Sequence, residues 1–540
     1  QGFGSQDDWL ARCKADVVFA FFGFNESFAG AEGVDKFKKD LEALIKQLAS
    51  QKYNGETAPR LVLFSPIAFE SLAIPHVPEG KEHNTRLKLY TDAMAEIARA
   101  NSVPFVDVFS PMLDLYEKSK QPLTINGAHL NETGNQYIAE IIDVALFSKR
   151  KESIEYEKLA KLRQAVLEKN FFWFNRYRPT DDYNIFGGRS SLKYNNVTNY
   201  DVLMREMNVL EVMSDNRDKS IWAAAQGKDV AADDTNLPPF IDVKTNKPGK
   251  KPDGSFDFIS GEEGIGLMKV GEGMKVNLFA AEAQFPELAN PVQMAFDTKG
   301  RLWVAAWPNY PHWKPRTPMC DKLLILEDSD GDGKADNCKV FAGDLRDPTG
   351  FEFWNGGVLV AQAPDLIFMK DTDGDDRADV RVRVLHGLSS GDSHHAANSF
   401  VLDPGGALYF GEGVFHRSQM ESPYGPLRNS DACIWRFEPR TFKIDRFVPY
   451  DFANPHGHVL DAWGQNFLHD GTGSNPYHAA LFSRSLEAAA RASFVTSAPA
   501  SMRAISSWRC CASDSGMTFV VGLVLPVLAI TLNVRPFASF

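Results

Sequence analysis

Two acidic segments hold the residues best suited to binding an ion. Asp328-Ser329-Asp330-Gly331-Asp332-Gly333-Lys334-Ala335-Asp336 is echoed by Asp371-Thr372-Asp373-Gly374-Asp375-Asp376-Arg377-Ala378-Asp379. Carboxylates at the first, third and fifth places of a tight turn can converge on one hard cation, and glycine lets the chain reverse between them. Asp328, Asp330, Asp332 and Asp336, with Asp371, Asp373, Asp375 and Asp379, are therefore candidate calcium ligands. Plain solvated hairpin turns explain the same residues, and in the second loop Arg377 competes for the carboxylates. Neither loop is an EF-hand, because no helical pattern flanks it and no Glu stands at the twelfth position. The copies start 43 residues apart, close to the ~40–50 residues of one β-propeller blade.

A second group of polar residues lies in the first 150 positions. Gly23-Phe24-Asn25-Glu26-Ser27 follows one apolar run, and Asn126-Gly127-Ala128-His129-Leu130-Asn131 precedes an apolar-periodic stretch from Glu132 to Leu146. The elements that must position them are three short apolar runs, Asp16–Gly23, Arg60–Ile67 and Pro104–Phe109. Between these lie helical patterns at Val34–Leu48 and Arg86–Ala98. Strands alternating with helices predict a parallel sheet covered on both faces, with ligands bound beyond the carboxyl ends of the strands.

With this order and spacing the two motifs resemble the SGNH (GDSL-like) hydrolase family. The resemblance implies a flavodoxin-like α/β fold, Asn25 as an oxyanion-hole donor and His129 as the base that activates a serine. Glu26 replaces the family's Asp, and Asn126 stands where the acid that orients the base should be. The family's nucleophile block belongs upstream of Asn25. Ser5, the only serine there, is not in a Gly-Asp-Ser context, so a missing first strand is expected upstream of Gln1. Esterase activity and a degenerate carbohydrate- or ester-binding module are both open.

Residues 149–260 read as a helical extension and linker. Arg150–Asn170 and Asp201–Trp222 are helical, the latter with Leu203, Met207, Leu210 and Met213 on one face. The aromatic run Phe171–Pro179 suits helix docking better than a ligand cage. Asp229–Gly261 is rich in Pro, Gly, Lys and Asp and marks a domain boundary.

From residue 261 a phrase recurs as strand, Asp/Gly turn and aromatic strand: Phe296–Val304, Trp354–Val360, Leu402–Phe410 and Leu460–Leu468. Copies about 50–58 residues apart predict an all-β propeller over 261–482, incomplete because only four copies fit. Ahead of the copies lie Pro348-Thr349-Gly350, His394-His395-Ala396-Ala397-Asn398 and Asn454-Pro455-His456-Gly457-His458, which a propeller would aim at its central channel.

This half resembles the soluble quinoprotein glucose and aldose-sugar dehydrogenases. Residues 1–482 are closer still to a bacterial family labelled membrane-bound dehydrogenases, whose members can carry an SGNH-like domain in front and a haem-binding CxxCH domain behind. No CxxCH occurs in this chain, so no haem is expected in it. The resemblance implies a sugar- or alcohol-oxidising site with pyrroloquinoline quinone, calcium, and His395 as the base that takes the hydroxyl proton. His394, Asn398, His456 and His458 would line it, His395 and His458 opening into one polar cavity. The alternatives are that these histidines hydrogen-bond at blade ends or bind a metal together.

The net charge of −12 disfavours a nucleic-acid partner; a carbohydrate or other small molecule is expected, with the electron acceptor undefined. No CxxC or Cys/His spacing marks a zinc site, and Cys320 and Cys338 can either pair across a hairpin or remain thiols. A periplasmic or extracellular location is expected. From about Ser483 the composition turns to Ala, Ser and Arg. Residues 483–540 read as an atypical, non-native tail or as a marginal membrane segment, the apolar run Met517–Leu532 being shorter than the ~20 residues that span a bilayer.

Overall fold

The computed structural model describes residues 4–147, 156–243, 259–449, 452–472, 475–479, 510–513, 516–522 and 529–534. The chain divides into two units: Gln1–Leu159 with Glu421–Leu427 and Glu438–Ile444, and the remainder.

The first unit runs α1 (Gln6–Arg12), β1 (Val17–Phe21), α2 (Val34–Ser50), β2 (Arg60–Phe64), α3 (Gly80–Ala100), β3 (Phe105–Val106), α4 (Phe109–Lys118) and α5 (Glu132–Phe147). The strands form a parallel sheet in the order β1-β2-β3. Alternation along β2 explains the two layers. Leu61 and Leu63 pack with Phe37, Leu41, Ile45 and Leu48 of α2 and with Met94 and Ile97 of α3. Val62 and Phe64 pack with Val106 and with Ile138, Ile141 and Ile142 of α5. Helix α4 is an element that the periodicity did not predict.

In the second unit α6 (Tyr156–Tyr177) carries the aromatic run, α7 (Tyr183–Phe186) follows, and a ribbon of β4 (Lys193–Tyr194) and β5 (Val197–Thr198) leads into α8 (Asn199–Ala225). Thr198 caps α8 reciprocally with Asp201. Phe172, Ile185, Leu203, Met207, Leu210 and Trp313 make one apolar cluster, so the aromatic run is a docking surface. The short α9 (Gly261–Gly266) then precedes small antiparallel sheets.

β6 (Met274–Ala280) comes first in sequence. The first four-stranded sheet is β7 (Pro291–Phe296), β8 (Leu302–Ala306), β9 (Asp321–Glu327) and β10 (Asn337–Leu345). The second is β11 (Pro348–Trp354), β12 (Gly357–Gln362), β13 (Asp365–Lys370) and β14 (Val380–His386). The third contains β15 (Asn398–Leu402) and β16 (Leu408–Glu412), and after a ribbon of β17 (Gln419–Ser422) and β18 (Gly425–Arg428) it is completed by β19 (Cys433–Glu438) and β20 (Lys443–Val448). The fourth is β21 (Gly457–Leu460), β22 (Asn466–Asp470) and β23 (Asn475–Ala479). The last is β24 (Cys510–Ser513), β25 (Gly516–Gly522) and β26 (Ala529–Val534), with β6 as its outer strand.

Each recurring phrase is the turn between the first two strands of a sheet. Asp297, Asp403 and Asp461 accept amide hydrogen bonds across their turns from Arg301, Ala407 and Gln465. The second copy uses Asn355-Gly356 instead, with both residues at positive φ (48° and 71°), the backbone that a two-residue hairpin demands. Of the apolar run Met517–Leu532, residues 517–522 fall on β25 and 529–532 on β26, the rest lying outside the described residues, and no helix among the described residues is long and apolar enough to cross a membrane. Cys320 and Cys338 are free thiols, not a disulfide.

Candidate functional site

In the first unit, the chain leaving β1 turns at Gly23 (φ +96°), where a Cβ would lie 3.2 Å from Pro66 Cδ. Glu26 Oε2 accepts the Gly23 amide at 2.8 Å. The longer acid in the family's Asp position therefore closes the turn that presents Asn25. Asn25 Nδ2 donates to Glu421 Oε1 at 2.7 Å, and His129 Nε2 lies 3.9 Å from Glu421 Oε2. Residues 104 positions apart thus meet around one carboxylate.

Asn126 Oδ1 accepts the amides of Ala128 (3.2 Å) and His129 (3.0 Å) and lies 3.0 Å from His129 Nδ1. Two backbone donors identify that atom as oxygen, so Nδ1 carries the proton it shares with Asn126, leaving the Nε2 lone pair to act as base. Asn126 supplies orientation and tautomer without the negative charge of the family's acid.

What holds this loop lies more than fifty residues away in the chain. Glu70, 5% exposed, accepts Leu123 N at 3.0 Å, Thr124 N at 2.7 Å and Thr124 Oγ1 at 2.6 Å. Its own amide donates to Gly127 O, and Gly127 N donates to Thr124 Oγ1. Gly127 (φ +89°) has no room for a side chain, since a Cβ would come 2.4 Å from the Phe69 ring. Neither Ser5, the serine upstream of Asn25, nor Ser65 is placed to serve as nucleophile. The Ser5 hydroxyl caps α1 through Asp8. Ser65, at the end of β2, accepts the amides of Val108 and Phe109 and is 1% exposed. Among the described residues none donates a hydroxyl to His129.

In the second unit, His394 and His395 sit on a one-turn helix, Ser393–His395, capped by Asp392. His395 is 4% exposed, with Nδ1 3.3 Å from Asp392 Oδ2 and Nε2 2.5 Å from Asn454 Oδ1. Arg189 Nη1 reaches Asp392 Oδ2 at 2.8 Å, while its guanidinium lies over the stacked rings of Tyr183 and Phe415. Burial pushes the Asp392 carboxyl up, but the hydrogen bond and charge of His395 and the charge of Arg189 outweigh it and hold the group below the usual range. His394 Nδ1 pairs with Tyr310 Oη at 2.6 Å. The His456 ring lies 6.4 Å from that of His395; surrounding protein, then His395 and His394, push its pKa down to about 4.

His458 does not join this group. It is buried on β21 against the Tyr409 ring and bound to Asn466 Oδ1 at 2.8 Å. Burial pushes its pKa down to about 4. Asn398 is spent locally on Ala396 O and Ser399 Oγ. Sequence reasoning missed Asp392, Arg189 and Tyr310, of which only Asp392, three residues before His395, carried a local signal; Asn454 stood in the polar segment named with His456 and His458.

The acidic loops are the β9–β10 and β13–β14 hairpin turns. Carboxylate oxygens of Asp328, Asp330 and Asp332 lie within 4.8 Å of one another, as do those of Asp371, Asp373 and Asp375. Asp336 and Asp379 instead accept the amides of Ser329 and Thr372, closing each loop. The cations that reach the second loop are Arg301 and Lys339, and they take Asp376.

Residues 1–137 match the GDSL-like Lipase/Acylhydrolase family, and residues 260–513 match a domain of unknown function (DUF7133). An SGNH-type α/β domain is thus followed by a sheet-rich, propeller-like region. Among solved structures, an acetyl xylan esterase, AlAXEase, is 26% identical with a TM-score of 0.21, over 26% of this chain and 72% of that one. The pyranose dehydrogenase PQQ domain from Coprinopsis cinerea is 14% identical, TM-score 0.26, over 37% of this chain and 47% of that one. A Trichoderma reesei Carbohydrate-Active Enzymes Family AA12 structure is 12% identical, TM-score 0.27, over 37% and 49%. The chain therefore spans about half the length of these two. No curated protein matches it.

Proposed function

We propose that the first unit hydrolyses acyl esters on carbohydrate-related substrates, with the propeller-like unit as its sugar-recognising platform. One observation carries this reading: the Asn25 amide and the His129 Nε2 converge on a space that one carboxylate spans. Asn25 Nδ2 is placed to stabilise the oxyanion of an attacked ester, and His129 to accept the proton of the attacking hydroxyl. A periplasmic or extracellular setting belongs to the same proposal, as does calcium in the two acidic turns, which is supported by carboxylate oxygens of three aspartates in each turn lying within 4.8 Å of one another.

A sugar dehydrogenase is the second reading, favoured by the buried Asp392–His395 pair. Pyrroloquinoline quinone carries three carboxylates and needs uncompensated cations. In the histidine cluster the Arg189 guanidinium is already paired with Asp392, and the His395 Nε2 edge is covered by Asn454. These residues do not fit the quinone.

The test is hydrolysis of p-nitrophenyl acetate and of acetylated xylo-oligosaccharides by the purified chain. His129→Ala should lose ~100-fold or more, and Asn25→Ala on the order of 100-fold. Hydrolysis unchanged in His129→Ala would sink the esterase reading. Aldose-dependent dye reduction on adding the quinone and calcium would reinstate the dehydrogenase.

A further inference from the structure

We propose that Asn25 and His129 form a carboxylate-binding site and that the side chain of Glu421 occupies it as a built-in ligand. The proposal rests on the hydrolase reading of this pair, because a site that cleaves esters must release the acid from between these two groups.

The segment that supplies the carboxylate, Glu421–Leu427, belongs to the first unit. Its two oxygens divide between the partners: Oε1 takes the Asn25 amide proton at 2.7 Å, and Oε2 faces His129 Nε2 at 3.9 Å. That is how the acid released by hydrolysis would sit while the imidazole holds a proton at Nε2 as well as at Nδ1, with one oxygen on the oxyanion donor and the other towards the Nε2–H. Glu421 cannot substitute for the family's orienting acid, because Asn126 already holds Nδ1 and Glu421 faces the opposite, catalytic nitrogen. Its place is the ligand's place.

The turn is seated. Tyr424 Oη donates to His76 O at 2.8 Å. At Gly425 (φ +118°) a Cβ would lie 3.3 Å from the Phe28 ring, whose residue is in the same short turn as Asn25. A tethered carboxylate competes with a free one at the high effective concentration its attachment confers. Glu421 and His129 are both partly exposed, so the occupancy is modest and a diffusible acid can displace it.

Acetate binding to the full chain, followed by ligand-observed NMR with chloride at equal ionic strength as control, is the test. Glu421→Ala should bind acetate about three- to tenfold more tightly than wild type. Glu421→Gln, which keeps an acceptor for Asn25 but no charge, should fall between them. Adding Asn25→Ala to Glu421→Ala should return the affinity to the wild-type level or below. Equal affinity in wild type and Glu421→Ala would overturn the proposal, as would tight binding that survives Asn25→Ala. None of these measurements needs turnover. Esterase silence beside the expected acetate series sinks only the hydrolase reading, and hydrolysis beside a flat acetate series sinks only this one.

Discussion

Glu70→Gln is the sharpest probe of how the His129 loop is built. The carboxylate is 5% exposed and accepts three hydrogen bonds, from Leu123 N, Thr124 N and Thr124 Oγ1. Glutamine keeps the volume but leaves one acceptor oxygen, and turns an NH2 towards donors that cannot accept it. Hydrogen bonds to a charged group contribute about 1.5–3 kcal/mol each, and a buried group left unsatisfied costs about 1–3 kcal/mol. Losing one to two of the three bonds should cost roughly 3–5 kcal/mol. Because residues 122–131 carry the loss, amide exchange there should accelerate before the sheet responds. Urea unfolding of the first unit should show the same loss with an unchanged slope, since the surface exposed on unfolding is the same. Acetate binding at Asn25–His129 should weaken in parallel, because the imidazole is oriented by Asn126 inside this loop. A loss below ~1 kcal/mol with wild-type exchange at residues 122–131 would refute the argument that Glu70 anchors the site.

His458 gives a pH dependence with a definite sign. Its folded pKa, about 4, lies below the ordinary histidine value of 6.5, so the folded state binds fewer protons between them; its contribution is complete above pH 6.5 and is lost as pH falls towards 4. A shift of that size is worth about 3 kcal/mol. The stability gap between wild type and His458→Gln, read by urea titration, should therefore shrink on acidification across that window, and a constant gap would contradict the assignment. Calcium should raise the melting temperature of the full chain, since an ion that binds only the folded state stabilises it by mass action. Asp330→Ala with Asp332→Ala should reduce that rise, and the same response in both proteins would leave the loops as plain turns. Gly127→Ala should mimic Glu70→Gln in acetate binding, because its Cβ meets the Phe69 ring and the Glu70 carbonyl; unchanged binding would argue against the tight loop.

What was legible in the sequence was local. The Asp turns at 297, 403 and 461 read correctly because each aspartate caps amides within four residues of itself. The alternation of β2 and the apolar stripe of α2 likewise follow from neighbours along the chain. Asn25 was legible as a site candidate because its motif follows the carboxyl end of a strand, where a parallel sheet binds ligands; His129 was singled out by its resemblance to a family motif, since its loop follows α4 rather than a strand. Glu70 and Arg189 were invisible for the opposite reason. Their partners lie 53 and 203 residues away, and nothing in their own segments distinguishes them from any exposed polar residue. The last sheet shows the same limit: β25 and β26 were read as an atypical apolar segment, while the pairing of β26 with β6 spans more than 240 residues.

The histidines show why spacing misleads when an element boundary falls between two residues. His456 and His458 are two apart, and inside a strand that spacing would put both side chains on one face. β21 begins at Gly457, however, so only His458 obeys the alternation. It pairs opposite Leu468 and turns into the packing with Tyr409, where a neutral imidazole costs little and a charged one costs several kcal/mol. His456, still in the preceding loop, follows the backbone of Asn454 instead and faces His395. The cluster that remains is His394, His395 and His456 around Asp392 and Asn454, with its buried charge balanced internally by Arg189. A site so compensated is built to hold a loop still, because a buried polar network whose charges are all partnered rigidifies the segments it joins.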